Sequence, residues 1–164
     1  MPRAARNKAV FYHRDALDTL NRHNSLADKL ASLHKLLKRR YRFITRIAVA
    51  VYDPKTDLLK TYVDSGRTAH PLRHYSAKLA EVPSLKDTMT RGTPRVVNDL
   101  DVFKRSRTEH TVRIRASGYG ASYTLPMFLN GTFFGFVFFN SRLKRVFTDQ
   151  VLHDLDIFGH LTSL

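Results

Sequence analysis

The sequence contains no cysteine among its 164 residues. This absence excludes disulfide bonds, thiolate metal sites and every mechanism that needs a cysteine nucleophile. It also gives no sign of an oxidising compartment. With 43% apolar and 26% charged residues, the chain has the composition of a soluble globular protein, and its length suits one domain with a sizeable core.

A long apolar run is also missing. The most apolar stretch, TLPMFLNGTFFGFVFFN from Thr124 to Asn140, is interrupted by Pro126 and Asn130-Gly131. It falls short of the roughly 20 residues that a membrane-spanning helix needs. The N-terminus is basic, but the apolar run of a secretory signal does not follow it. We therefore expect a cytoplasmic location and no membrane partner.

Sequence motifs for catalysis and metal binding are absent as well. There is no His-Glu-x-x-His pattern, no Gly-x-Ser-x-Gly elbow and no glycine-rich phosphate loop ending in Lys-Ser/Thr. The eight histidines are scattered, and we interpret them as surface residues. We predict no metal, no cofactor and no enzymatic activity.

Acidic residues are scarce relative to basic ones. The chain has 14 acidic and 28 basic residues, a net charge of +14, and residues 1–46 alone hold 12 basic and three acidic residues. Such an excess attracts anions, although a solvated helix face is the simpler explanation. The segments LLKRRYRF and FKRSRTEHTVRIR are basic, but no helix-turn-helix, zinc-finger or RNA-recognition motif accompanies them. A basic nucleic-acid-binding module is therefore the alternative interpretation, and we do not expect nucleic acid as the main partner.

Two β-hairpins are predicted. The Asn130-Gly131 pair between two apolar runs is typical of a two-residue turn, here joining strands at 121–129 and 132–140. Both faces of the second strand are apolar, so we expect it to be covered on both sides, with Gly135 marking a bulge or a close approach. Strict alternation puts Phe134, Phe136 and Phe138 on one face, and Phe133, Gly135, Val137 and Phe139 on the other.

The other elements follow from similar patterns. A hairpin with strands at 42–52 and 58–63 and a short strand at 93–99 complete the predicted sheet. Leucines at 26, 30, 33 and 37 predict a helix capped by Ser25, and residues 100–117 end in a weak helix. A short helix is predicted between a cap at Ser84 and an end at Gly92, and Thr148 is predicted to cap the last helix.

These elements predict an α+β fold. Its centre is an antiparallel sheet of five or six strands, with the N- and C-terminal helices packed on one face. Residues 1–24 are predicted to form a basic N-terminal segment or helix, and residues 25–164 the domain.

The ordered motifs resemble those of a GAF domain, a small sensory and regulatory module. In SGYGASYTLPMFLNGTFFGFVFFNSRLKRVFTDQVLHDLDIFGHL, a Gly-aromatic lead enters a strand ending Leu-Pro, an Asn-Gly turn follows, and Phe-Thr opens the last helix. GTPRVVNDL matches the short strand and Asp-Leu pair that often precede the pocket cover in this family. The resemblance runs from about Ser25 to Leu164 and implies a ligand site between the free face of the sheet and the segments at 65–82 and 99–118.

The resemblance also limits and extends the expected function. Bilin attachment and methionine sulfoxide reduction within the family require cysteines, and the Asn-Lys-x-Asp-Glu signature of cyclic-nucleotide binding is not recognisable. GAF domains usually control a neighbouring output domain, and their terminal helices often bundle in dimers. The resemblance thus implies a homodimer through the terminal helices, a small-molecule ligand and a downstream effector domain as partners.

Polar and aromatic residues at the predicted sheet edge are the candidate ligand contacts. Arginines can pair with an anionic group, and tyrosines can stack on a ring and hydrogen-bond to it. Each has a structural alternative, because an aspartate can cap a helix, a tyrosine can pack in the core and an arginine can be solvated. The candidates are Tyr62, Asp64, Asn98, Asp99, Arg113, Arg115, Tyr119 and Tyr123.

Overall fold

The computed structural model of the chain describes residues 25–65, 76–105, 112–113 and 116–162. The predicted basic segment at 1–24 and the candidate Arg115 lie outside these ranges. None of the described helices is long and apolar enough to cross a membrane.

Six antiparallel strands form one sheet in the order β3-β2-β1-β6-β5-β4. This confirms the predicted α+β architecture. The three-residue strand β3 at one edge was not predicted, because SAK carries no alternating apolar pattern. The strands are β1 Ile44–Asp53, β2 Leu58–Asp64, β3 Ser76–Lys78, β4 Arg95–Val97, β5 Ala121–Leu129 and β6 Thr132–Ser141.

The central hairpin forms at the predicted turn. Asn130 and Gly131 have φ of 50° and 77°, the left-handed conformation that a two-residue hairpin requires. The two strands begin and end within one residue of their predicted limits. The hairpin is thus fixed by its own turn residues and by the apolar runs on either side.

A bulge in β6 corrects the predicted alternation. Met127 pairs with Gly135 and Phe128 with Phe133, so Phe134 is left over. As a result, Phe133 packs with Phe136, whereas Phe134 packs on the opposite face. The predicted faces of Phe133 and Phe134 were therefore wrong.

Gly135 allows two strands to approach closely next to this bulge. A Cβ placed on Gly135 would lie 2.1 Å from the carbonyl oxygen of Ala50 on β1. No side chain fits at that distance, so the position requires glycine. This confirms the close approach that the sequence suggested.

Three helices accompany the sheet: α1 Leu26–Arg40, α2 Pro83–Arg91 and α3 Asp149–Thr162. The Ser25 hydroxyl accepts a hydrogen bond from the Asp28 amide at 3.1 Å, as predicted for a cap. Ser84, in contrast, does not cap α2. That helix begins with Pro83 directly after Val82, and the Ser84 carbonyl accepts a hydrogen bond from the Thr88 hydroxyl inside the helix.

The sheet has two different faces. On the helix face, α1 and α3 cover the larger core, whose central side chains include Leu33, Tyr123, Phe139 and Leu155. On the other face, Phe136 packs with α2 and the 3-10 turn that precedes it. The prediction that the terminal helices share one face is confirmed.

The second face is concave. Ala77 on β3 packs against Phe136 and also against the cluster of Leu100 and Tyr119. Since β3 is one edge of the sheet and Leu100 follows the strand at the other edge, this contact requires the sheet to curl. We call this side, which carries Arg46, Thr124, Phe136, Phe138 and Asn140, the concave face.

One histidine departs from the surface interpretation. His34 on α1 is buried, and its Nε2 lies 3.1 Å from the carbonyl oxygen of Ile44. Burial is the main cause that lowers the pKa of this imidazole. His153 and His160 on α3 are exposed, as predicted.

Candidate functional site

A buried row of four polar side chains crosses the concave face. Arg46 Nε donates to Asp64 Oδ2 at 2.6 Å, and Arg46 Nη1 donates to Asn140 Oδ1 at 2.9 Å. Asn140 Nδ2 in turn donates to the Ser122 hydroxyl at 3.0 Å. The row thus runs through β2, β1, β6 and β5, and we call it the polar row.

The polar row is almost completely shielded from solvent. The Arg46 and Asp64 side chains are 3% and 4% exposed. Transfer of these charges from water into the protein is costly, and the cost is offset only when both charges are paired and hydrogen-bonded. A fully connected polar group of this kind holds the strands in one register.

Strand pairing explains why these residues meet. Arg46 is paired with Asn140, and Asn140 with Ser122, so the three side chains share one face of adjacent strands. In the sequence, the visible sign of this row is Arg46, a single charge inside the apolar run FITRIAVAVY. Sequence reasoning did not select Arg46, Asn140 or Ser122, because their pairing depends on strands that are far apart in the chain.

A second row lies beside the polar row. Arg95 on the edge strand β4 is paired with Thr124, which is paired with Phe138. These residues lie two positions along their strands from the polar row, about 7 Å away. The concave face therefore combines an apolar ring with a cation and a hydroxyl.

Tyr119 closes one end of this face. It is 9% exposed and packs with Leu100, Val97 and Phe103. Burial raises the pKa of Tyr119 to about 12, and the nearby Arg46 charge opposes that rise. The phenol is therefore neutral at physiological pH and lies within electrostatic reach of the polar row.

Solved structures that share the overall fold of this chain include two GAF domains and a methionine sulfoxide reductase. The GAF domain of an Acinetobacter phosphoenolpyruvate-protein phosphotransferase has 13% sequence identity and a TM-score of 0.66, over 90% of this chain and 85% of that one. The phycocyanobilin-bound GAF domain of a cyanobacterial phytochrome has 12% identity and a TM-score of 0.67, over 90% of each chain. The free methionine-R-sulfoxide reductase of Neisseria meningitidis, in complex with its substrate, has 15% identity and a TM-score of 0.67, over 90% of this chain and 81% of that one.

This chain has the GAF fold. The resemblance predicted from the motifs is thus confirmed at the level of structure. The sequence matches no protein-family model and no curated protein sequence.

Within this GAF fold, two of the predicted site residues lie together on the concave face. Asp64 forms the end of the polar row, and its charge also influences the Tyr119 hydroxyl. Tyr62, on the same strand as Asp64, is the extra residue of a bulge and is 67% exposed. Arg113 is partly exposed in a short helical turn.

Asn98 connects two loops through hydrogen bonds. Its amide nitrogen donates to the Phe147 carbonyl and its amide oxygen accepts from the Phe147 amide, both at 3.0 Å. Its own carbonyl accepts from the Arg145 amide at 2.7 Å. With these bonds, Asn98 fixes the loop between β6 and α3.

Asp99 caps a helical turn, which was the structural alternative to a ligand contact. Its carboxylate accepts from the Asp101 amide at 2.9 Å and thereby caps the 3-10 turn at Leu100–Phe103. It also pairs with Lys144 at 3.0 Å. The Asp101 amide and the Lys144 ammonium together lower the pKa of the Asp99 carboxyl.

Tyr123 lies on the helix face, away from Tyr119. Its ring stacks on Phe139, and its hydroxyl donates to Asp156 on α3. The two tyrosines differ because Tyr119 precedes Gly120, where the chain bends before β5 begins. A Cβ on Gly120 would lie 2.6 Å from the Arg142 carbonyl oxygen, so this bend also depends on glycine.

The described residues contain no group of three His, Asp or Glu side chains that could hold a metal ion. The chemistry available on the concave face is hydrogen bonding, ion pairing and aromatic contact. That set suits reversible binding of a small molecule.

Proposed function

We propose that the chain is a non-catalytic sensor module of a cytoplasmic signalling protein, which binds a small ligand on its concave face and controls an attached output domain. The observation that carries this proposal is the buried polar row. This row places charged and amide groups on the face that the terminal helices leave free, next to the row of Arg95 and Thr124. The GAF fold of the chain supports the same interpretation by analogy only.

A physical connection between the two faces supports the signalling part of the proposal. The polar-row residue Arg46 follows Ile44 by two positions on β1, and the Ile44 carbonyl lies within hydrogen-bond distance of His34 on α1. Ser122, also in the row, precedes Tyr123, which is bonded to Asp156 on α3. A ligand that shifts β1 or β5 would therefore act on both terminal helices.

The mechanism is a shift between two arrangements of these helices. A ligand that binds one arrangement more tightly than the other favours it by the difference in binding free energy. A coupling of about 1–3 kcal/mol is enough for regulation. Dimerisation through α1 and α3 would pass this change to the output domain.

A ligand screen tests the proposal. Nucleotides and metabolites are screened for an increase in the melting temperature of the full chain. For any compound that raises it, amide chemical shifts should change at Ser122 and Thr124, and hydrogen exchange should change in α1 and α3. Shift changes confined to the exposed hairpin tip at Phe128 and Leu129 would contradict the proposal.

A further inference from the structure

We propose that Arg95 and Thr124 form a subsite for the anionic group of a flat aromatic ligand. This inference rests on the proposed sensor function and names the ligand class for the same face. It predicts a small aromatic carboxylate or phosphate whose ring lies toward Phe138.

The first observation is a half-buried cation, Arg95 on β4. Among the described residues, no carboxylate lies within 4.0 Å of the Arg95 guanidinium. Within the described part of the chain, Asp87 on α2 is the acid whose charge influences Arg95, and Asp87 is already paired with Arg91 at 2.9 Å. Burial lowers the pKa of Arg95, and the charge of Asp87 opposes this effect only in part.

The second observation is a platform under the cation. The Arg95 guanidinium lies 5.3 Å from the centroid of the Phe103 ring. Phe103 itself packs against Leu100 and Tyr119. A guanidinium that lies over an aromatic ring is held by the cation–π contact and still has N–H groups for bidentate binding of a carboxylate or phosphate.

The third observation is a buried hydroxyl beside this cation. Thr124 is 3% exposed, and within the described part of the chain its hydroxyl has no hydrogen-bond partner. A buried polar group without a partner costs free energy, so its retention calls for an explanation. Thr124 is paired with Arg95 across β4 and β5, and a ligand oxygen between the two side chains would satisfy both.

The ring of the ligand has a defined place. Phe138 follows in the same row, about 10 Å from Arg95 across two strand spacings. It is partly buried and tilted against Phe136, with ring centroids 5.9 Å apart. An aromatic body would extend this pair, whereas a purely polar ligand would make no aromatic contact with Phe138.

Three probes separate charge from shape: benzoate, its neutral analogue benzamide, and inorganic phosphate. Each is titrated into the full chain while the amide resonances of Thr124 and Phe138 are followed. We expect benzoate to bind about tenfold or more tightly than benzamide, because charge-assisted hydrogen bonds are about twice as strong as neutral ones. Phosphate, which lacks the ring, should bind more weakly than benzoate.

Matched variants test the two side chains. Arg95→Gln should weaken benzoate binding about tenfold or more and leave benzamide binding unchanged. Thr124→Val, which keeps the shape, should weaken benzoate binding severalfold. The control is Arg39→Gln, which removes the same charge from the exposed surface of α1 and should change nothing.

A second measurement distinguishes binding from stability. Without ligand, Thr124→Val should melt at the same temperature as the parent chain or higher, since it removes a buried hydroxyl that has no partner among the described residues. Arg95→Gln should change the melting temperature little, because the lost contact with Phe103 is offset by the removal of a half-buried charge. A clear loss of stability in both would indicate a structural role and overturn the inference.

The outcomes separate this inference from the sensor proposal. If benzamide binds as tightly as benzoate with shifts at Thr124 and Phe138, the concave face binds ligands and the anion subsite is wrong. If none of the three probes moves these resonances, the aromatic-anion class is wrong, while the wider screen still decides the sensor function. Unchanged benzoate affinity in Arg95→Gln would also overturn the subsite.

Discussion

The two faces of the sheet are built from the same strands but differ in their chemistry. On the helix face, Tyr123 and Phe139 belong to one buried cluster with apolar side chains of α1 and α3. On the concave face, the neighbouring positions Ser122 and Asn140 carry polar side chains that are equally buried. Because successive strand residues point to opposite sides, one strand can supply both a core and a polar site.

The two faces also differ in how they contribute to stability. The helix face obtains its stability from apolar area and close packing. The concave face keeps charges and a hydroxyl in the interior, which does not maximise stability. Substitutions on each face in turn measure this difference in stability.

The largest effect is expected on the helix face. Phe139→Ala should lower the free energy of unfolding by about 3–5 kcal/mol, because Phe139 is fully buried and its removal leaves a cavity. Urea unfolding measures the loss. The control is Ile157→Ala on α3, which is 52% exposed and should change stability by less than about 0.5 kcal/mol. Equal losses in the two variants would contradict the assignment of this face as the core.

The polar row should come next. Arg46→Met leaves the Asp64 charge buried without its main partner and should cost about 3 kcal/mol. Replacing both residues, as Arg46→Met with Asp64→Leu, should recover much of this loss because no charge is then left unpaired. A double-mutant cycle in urea measures the coupling. If the double variant were as unstable as the two single losses added together, the pair would not act as a unit.

Local chemistry explains why so much of the fold could be predicted. The Asn130-Gly131 turn, the Gly92 helix end and the Ser25 cap each depend on a few adjacent residues, and all three form as predicted. The predicted cap at Ser84 failed because Pro83 is suited to the first helical position and starts the helix there.

The candidate site was harder to predict, because it depends on pairing between distant strands. Arg46 and Asn140 are 94 positions apart and meet only when β1 pairs with β6. The face on which Phe133 lies depends on the bulge in β6, and the opposite placement of Tyr119 and Tyr123 depends on the bend at Gly120. Both features interrupt the simple alternation of side chains along a strand. Asp64 was among the candidates because it ends a strand that the sequence does predict.

A smaller effect is expected at Tyr123, where β5 contacts α3. Tyr123→Phe removes the hydroxyl that donates to Asp156 and should cost about 1–2 kcal/mol. Tyr62→Phe, which removes a hydroxyl at a highly exposed position, is the matched control and should be neutral. Thermal unfolding compares the two. A neutral Tyr123→Phe would show that packing alone holds α3 at this point.

The smallest effect is a dependence on pH through His34. Burial lowers the pKa of this imidazole in the folded chain, whereas in the unfolded chain it is about 6.5. As the pH falls below about 6.5, the unfolded state therefore binds a proton first, and stability is lost until the pH also passes the folded-state pKa.

His34→Gln should remove this pH dependence, since an amide at this position can still donate to the Ile44 carbonyl but does not titrate. Urea unfolding of the parent chain and the variant at about pH 7.5, 6.0 and 5.0, which span the titration range of histidine, measures this pH dependence. Above about pH 7 the two curves should run parallel, and below it the parent chain should lose more stability. Identical slopes would assign the acid sensitivity to other groups. A steeper loss in the parent chain would show that the helix face also contains one group whose charge state matters, although its packing is otherwise apolar.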